Sequence, residues 1–348
     1  MKTRRTTLLG LAAAAAFAAT SVFAQGAAPV AKPGQFNWNY ADIEAAETLR
    51  TRNVQWWISE MEKRSNGAIK IRAYWAGALV GGKDIPVGVA KGYPEMGSNV
   101  YVYDMTFVRA LSVFDLPISK TSTSAIRAFN DMVRNNDILK AELKKRKMVA
   151  LTVFGHLGSS YAMTLKDINS PADLKGLKIR APGGLRARIL QSLGAEVVTM
   201  GPADTYSALQ RGTVNGVTSS LKDIDEWKWY DYGKYIWSLG IPLGPPLVYV
   251  INEDVWNTVP AGTQKMMLDV SQEFLERQIK DYDDSLAAIG DRLKTKGITV
   301  KGDIPSITAI SKAESDKAVI NWEADVTKAG IPGKALLDAF RQSLKKYE

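Results

Sequence analysis

The stretch Asp173-Leu174-Lys175-Gly176-Leu177-Lys178-Ile179-Arg180-Ala181-Pro182-Gly183-Gly184 carries most of what this sequence says about its fold. Leu177 to Arg180 reads as a strand, and Ala181-Pro182-Gly183-Gly184 ends it. Pro171-Ala172-Asp173-Leu174 opens a helical turn before the strand. A helix from about Leu185 to Leu193 comes next, and then a strand at Glu196-Val197-Val198. Arg180 therefore sits at the carboxyl edge of a sheet, where open α/β sheets bind ligands. Its planar fork can hold a carboxylate bidentately and does not lose its charge. Taken alone, an Arg at this place reads first as a surface residue, because most Arg are exposed.

Working outward, the same alternation recurs on both sides. Phe36 to Tyr40 alternates like a strand, and Asp42 is placed to cap a helix running to about Arg64, with Val54, Trp57, Ile58 and Met61 on one stripe. Ile69 to Tyr74 is a period-two strand, Asp84 to Lys91 a helix stopped by Gly92, and Met96 to Val100 a short strand. Downstream, Pro202 opens a helix that ends at Gly212, and Val214 to Ser219 is a strand. A long helical pattern covers Ala261 to Lys294, and two shorter helices end the chain. The fold class this predicts is α/β, in two lobes.

The first residues predict export. Lys2, Arg4 and Arg5 precede an apolar run from Leu8 to Ala19, and Val22-Phe23-Ala24 supplies small residues for a cut after Ala24. The run is shorter than the ~20 residues that span a bilayer. Thr3-Arg4-Arg5 with Leu8 also partly matches a twin-arginine signal, so the route of export stays open. Residues 25–35 read as a flexible lead. The formal charge of +9 falls to +6 once the three leader cations are removed. Lys144-Lys145-Arg146-Lys147 is the one basic run and reads as a solvated face; no nucleic-acid partner is expected.

Cys is absent and His156 is the single His. That excludes thiol catalysis, Cys/His zinc sites and any Ser-His-Asp triad not using His156. Gly158-Ser159-Ser160 is not a nucleophile elbow, and no phosphate-binding loop appears. Asp223, Asp225 and Glu226 have metal-like spacing without the flanking Gly and Glu of a calcium loop, so they read as a helix face. No catalytic residue, metal or cofactor is expected. Tyr40, Tyr101 and Trp227 fall at strand ends or in loops, where an aromatic can line a cleft or pack in a core. His156, just after a strand, suits a cleft wall, a hinge or a plain structural role.

Placed together, these segments resemble the substrate-binding subunits of tripartite ATP-independent periplasmic (TRAP) transporters. The resemblance runs through Glu60 to Ile71, Gly92-Tyr93-Pro94-Glu95-Met96-Gly97, Phe114-Asp115-Leu116-Pro117, Asp173 to Pro182, Leu193 to Val198 and Tyr206 to Gly216. It implies two α/β lobes of the periplasmic binding protein type, joined by a strand hinge and spanned by a long helix. The corresponding division is lobe I at 36–157 plus 246–285, lobe II at 158–245 plus 286–318, and C-terminal helices at 319–348 packing on both. The resemblance also makes Arg180 the anchor of a substrate carboxylate, which overrides the surface reading. Ser160 stands where a second cleft Arg is common, and Asn215 where an Asp is usual. Thr218, Ser219 and Ser220 fall in the cleft loop. The expected ligand-binding set is Arg180, Tyr40, Asn99, Tyr101, His156, Pro182, Ser219, Ser220 and Trp227. Those walls suit a monocarboxylate with an apolar or aromatic body, with dicarboxylates and sugar acids left open. The protein this implies is a periplasmic monomer that captures a small organic acid by lobe closure and delivers it to integral-membrane TRAP permease subunits. The alternatives are a receptor of another transporter class, or a periplasmic hydrolase or lyase built on His156.

Overall fold

The computed structural model describes residues 32–119, 121–155, 159–242 and 246–348. The expected leader, most of the lead, His156 and residues 243–245 of the expected hinge lie outside the described residues. Among those described, the strands are β1 (Phe36–Ala41), β2 (Ile69–Tyr74), β3 (Met96–Asn99), β4 (Met148–Phe154), β5 (Ser159–Thr164), β6 (Lys178–Ala181), β7 (Glu196–Thr199), β8 (Gly216–Ser219), β9 (Tyr235–Pro242), β10 (Leu247–Asn252) and β11 (Thr299–Asp303). They form two sheets, ordered β2-β1-β3-β10-β4 and β11-β9-β5-β8-β6-β7. β1 runs parallel to β2 and β3, and β6 parallel to β7 and β8, as helical crossovers require. β10 and β5 lie antiparallel within their sheets. The mixed α/β class and the two lobes expected from the sequence are thus present.

Alternation explains the first sheet. Phe36, Trp38 and Tyr40 of β1 are buried while Asn37 is exposed. The first helix spans Leu49–Arg64, later than expected, and Thr48 caps it through a bond from the Thr51 N–H. Asp42 does not cap it. Its carboxylate is occupied by the Tyr40 hydroxyl, the Glu44 N–H and the Arg50 guanidinium, all buried. A tertiary ion pair has taken the group that local pattern assigns to a cap.

The chain passes from the first sheet to the second between β4 and β5, and returns between β9 and β10. The long helix Ala261–Thr295 joins the lobes a third time. Met267, Val270, Phe274 and Ile279 from its first half lie in the core of the first lobe, whereas Ile289 and Leu293 lie in the second. Trp57 Nε1 donates to Ser271 Oγ at 3.0 Å, and Arg292 pairs with Asp225 at 2.7 Å. Gln278 braces the first crossing: its Nε2 donates to Val153 O at 2.6 Å and its Oε1 accepts from Gly155 N at 3.3 Å. The helix Pro305–Lys328 also touches both cores, through Ile307 and Trp322. The last helix, Gly333–Tyr347, packs Phe340 against Phe114 and Phe129. No described helix is long and apolar enough to cross a membrane.

Candidate functional site

β6 delivers Arg180 to the carboxyl edge of the second sheet, and the lobes meet over it. The Arg180 side chain is 3% exposed. Its Nε and Nη2 donate to Met200 O at 2.9 and 2.7 Å, and Nη1 donates to Thr218 O at 3.3 Å. The guanidinium carbon stands 5.9 Å from the Trp229 ring centre. Of five guanidinium N–H groups, at most two remain for a ligand. Carbonyls from just after β7 and from β8 thus fix the plane of the fork before any ligand arrives.

A cavity of about 60 Å³ opens beside it between the lobes. Arg186 lines the same cavity, from the first turn of the helix Gly184–Ser192, and is 8% exposed. Among the described residues neither Arg180 nor Arg186 has a carboxylate within ion-pair distance; Asp115, which faces this helix, pairs with Arg188 at 3.7 Å. Burial holds both arginines below the usual guanidinium value, and repulsion from Arg180 adds to this at Arg186. Two dry cations, neither in an ion pair among the described residues although Asp223 of the same lining attracts both, form a site for an anion.

The opposite wall comes from the first lobe. Glu44 and Arg50 line the cavity together with Val100, Val102 and Tyr103. Glu44 Oε1 accepts from Trp227 Nε1 at 3.0 Å, and Oε2 lies 3.3 Å from Arg50 Nη1. Burial raises the Glu44 pKa from 4.5 to about 7, against the pull of Arg50 and Lys222. The Trp227 and Trp229 rings, with centres 6.3 Å apart and planes 16° from parallel, supply an aromatic surface. A second and larger hollow of about 480 Å³, between residues 76–84 and 199–204, shares Ile43, Tyr103 and Pro202 with this cavity and adjoins it.

The lobes touch at several polar points. Besides the Trp227–Glu44 bond, Leu49 N donates to Glu226 Oε1 at 2.8 Å, and Leu185 N donates to Asp115 Oδ2 at 2.7 Å. Gly183 and Gly184 permit the last of these. A Cβ on Gly183 would stand 2.6 Å from Val102 O, and one on Gly184 2.7 Å from Asp115 Oδ2; both residues have positive φ, +116° and +63°. Only glycine suits that backbone and that closeness.

Of the expected site residues, Arg180, Pro182, Ser219 and Trp227 line the cavity. Ser219 Oγ donates to Asp223, and the adjoining Ser220 is the cap of the helix Leu221–Glu226, accepting from Asp223 N. Tyr40 does not reach the cavity: it is fully buried in the first core, edge-on to Trp57 and Trp75. Its place as the third large inward residue of β1 dictates that. Asn99 and Tyr101 are also buried outside the lining, with Asn99 Nδ2 and Tyr101 Oη lacking a partner. His156 lies outside the described residues. The three acids expected on one helix face diverge: Asp223 lines the cavity, Asp225 pairs with Arg292, and Glu226 meets the first lobe. Glu44, Arg50, Tyr103, Arg186 and Trp229 also line it, and of these Glu44, Arg50 and Arg186 carried no expectation from the sequence. For Arg186 a signal exists, since a cation in the first turn of a helix opposes the helix dipole.

Known proteins share this architecture. The family model described as bacterial extracellular solute-binding protein, family 7, matches residues 40–322. A solute-binding protein of Verminephrobacter eiseniae is 26% identical over 296 residues, covering 83% of this chain and 84% of that protein. The 2,3-diketo-L-gulonate-binding periplasmic protein of Escherichia coli is 24% identical over 285 residues, covering 80% and 83%. Among solved structures, a TRAP periplasmic solute-binding protein from Desulfovibrio salexigens, an open complex, is 29% identical with a TM-score of 0.72, covering 90% of this chain and 97% of that one. A marine metagenome TRAP protein specific for pyroglutamate shares the fold at a TM-score of 0.80 and 20% identity, covering 88% and 99%. The resemblance read from the sequence therefore holds, and the chain belongs to family 7 of the bacterial extracellular solute-binding proteins.

Proposed function

We propose that this protein is the receptor of a TRAP-type transporter, and that it captures a small organic acid between its lobes. The observation that carries the reading is the pair Arg180 and Arg186: two buried cations on one cavity wall, neither held by a carboxylate among the described residues. Arg180 takes the carboxylate through its remaining N–H donors, its plane already set by Met200 O and Thr218 O. Arg186 supplies the second charge that Ser160 does not. Trp227, Trp229, Pro182 and Ser219 line the space for the rest of the ligand. Relatives described as binding 2,3-diketo-L-gulonate and monocarboxylate 2-oxoacids support the acid class.

Family membership supports the remaining steps. The leader is cut after Ala24, the mature protein works in the periplasm as a monomer, and permease subunits receive the acid when the lobes reopen. The crossings at residues 155–160 and 243–250 act as the hinge. No catalytic step is needed. A thermal-shift screen of organic acids, followed by calorimetry on the hits, tests the proposal. Acids bound only by the wild-type protein and not by Arg180→Ala support it, and acids bound equally by both overturn it.

A further inference from the structure

The cavity is charged asymmetrically across its two walls. The second lobe offers Arg180 and Arg186, with Asp223 beside them accepting from Ser219, and the first offers Glu44, which is 3% exposed and backed by Arg50. An ionised carboxylate has about four acceptor sites. Glu44 meets Trp227 with one oxygen and Arg50 with the other, so acceptor capacity remains at the cavity wall. The charge of Arg50 is neutralised by Asp42 and Glu44, although its buried Nε keeps an unused N–H among the described residues. A ligand group reaching the Glu44 carboxylate on this wall must donate. A second carboxylate there would face a like charge in a dry space. Between the charged ends the lining is apolar or aromatic: Val100, Val102, Leu247, Trp227 and Trp229.

We propose that the cleft selects monocarboxylic acids that carry a hydroxyl or N–H donor remote from the carboxylate, with Glu44 receiving that donor and Arg180 and Arg186 holding the acid. The inference rests on the acid-receptor reading above and adds its orientation and substrate class. The buried Glu44 carboxyl, pushed up to about 7, is short of solvation and gains from a donor. Hydroxy acids and acids with a ring N–H satisfy both walls; plain fatty acids satisfy one, and dicarboxylates repel the other.

The test is calorimetry at a pH above the Glu44 value of about 7, on matched acids in which a methyl group replaces the donor. Suitable pairs are 4-hydroxybutyrate against pentanoate and 3-hydroxybenzoate against 3-methylbenzoate, with glutarate as the dicarboxylate. For the acids that bind, the donor-bearing member should be favoured roughly ten- to hundred-fold, as a hydrogen bond to a charged group implies. Glutarate should bind no better than pentanoate. Glu44→Gln should shrink the preference to within about threefold, since the charged acceptor is gone. Because the wild-type ratios stand without any variant, a poorly folded Glu44→Gln leaves the test intact. Equal affinities within the pairs, or a preference for glutarate, would overturn the inference while leaving an acid receptor. No binding by any acid of a broad panel would instead bring down the receptor reading, and this inference with it.

Discussion

The main-chain N–H of Leu185, in the second lobe, donates at 2.7 Å to the carboxylate of Asp115, in the first. The bond joins the lobes at the start of the helix that carries Arg186, one residue after the glycine pair that lets the lobes come so close. Closure and the position of the second cation are thus fixed at one place.

Gly184→Ala tests that place. Its Cβ would meet the Asp115 carboxylate at 2.7 to 3.1 Å, and φ of +63° already disfavours a side chain. Strain of this kind costs about 1–3 kcal/mol. Acid binding should weaken roughly five- to hundred-fold, and small-angle scattering of the saturated variant should show lobes more open than in the wild type. Unaltered affinity and scattering would mean that the glycine pair does not limit closure.

Arg186 should trade stability for binding. A buried cation with no hydrogen bond or ion pair among the described residues, attracted by Asp115 and Asp223 only at longer range, is unfavourable, so Arg186→Met should stabilise the ligand-free protein by about 1–3 kcal/mol in denaturant unfolding. The same variant should bind organic acids at least ten-fold more weakly. A destabilised variant with normal affinity would assign Arg186 a purely structural role.

Features that are local in the chain are the ones its sequence displays. β6, its glycine pair and the next helix are readable because strand, stop and helix start lie within about fifteen consecutive residues, and Arg180 comes with them. The partners of β5, β9 and β10 lie tens of residues away in the chain, so the sequence points only to the crossings near them. Tyr40 lies in the first core outside the cavity lining, a placement that alternation alone cannot tell from a cleft position at a strand end. Glu44 and Arg50 stay hidden because local pattern assigns charged residues to the surface. Their burial depends on Asp42, Trp227 and the opposing lobe.

The buried carboxyls predict an unusual pH profile. Burial raises Glu44 from 4.5 to about 7 and Asp115 from 3.8 to about 6. Each therefore binds its proton more tightly in the folded protein than in the unfolded chain. Their contribution is fully present below the unfolded values and is lost as pH rises through 6 and 7. Melting temperature should fall between pH 5 and pH 8, and Glu44→Gln should flatten that fall. A slope identical in the two proteins would mean that Glu44 titrates normally.

Everything proposed for the cleft depends on Arg180 holding the ligand carboxylate, and isothermal calorimetry of the wild type, Arg180→Ala and Arg180→Lys with the tightest acid of the screen decides it. Removing one partner of a buried charge pair costs about 2–5 kcal/mol, so Arg180→Ala should weaken binding roughly thirty-fold to several thousand-fold. Arg180→Lys should recover only part, since an ammonium keeps the charge and loses the fork. Circular dichroism must show all three proteins folded. A folded Arg180→Ala protein with near-wild-type affinity would mean that the carboxylate is anchored elsewhere.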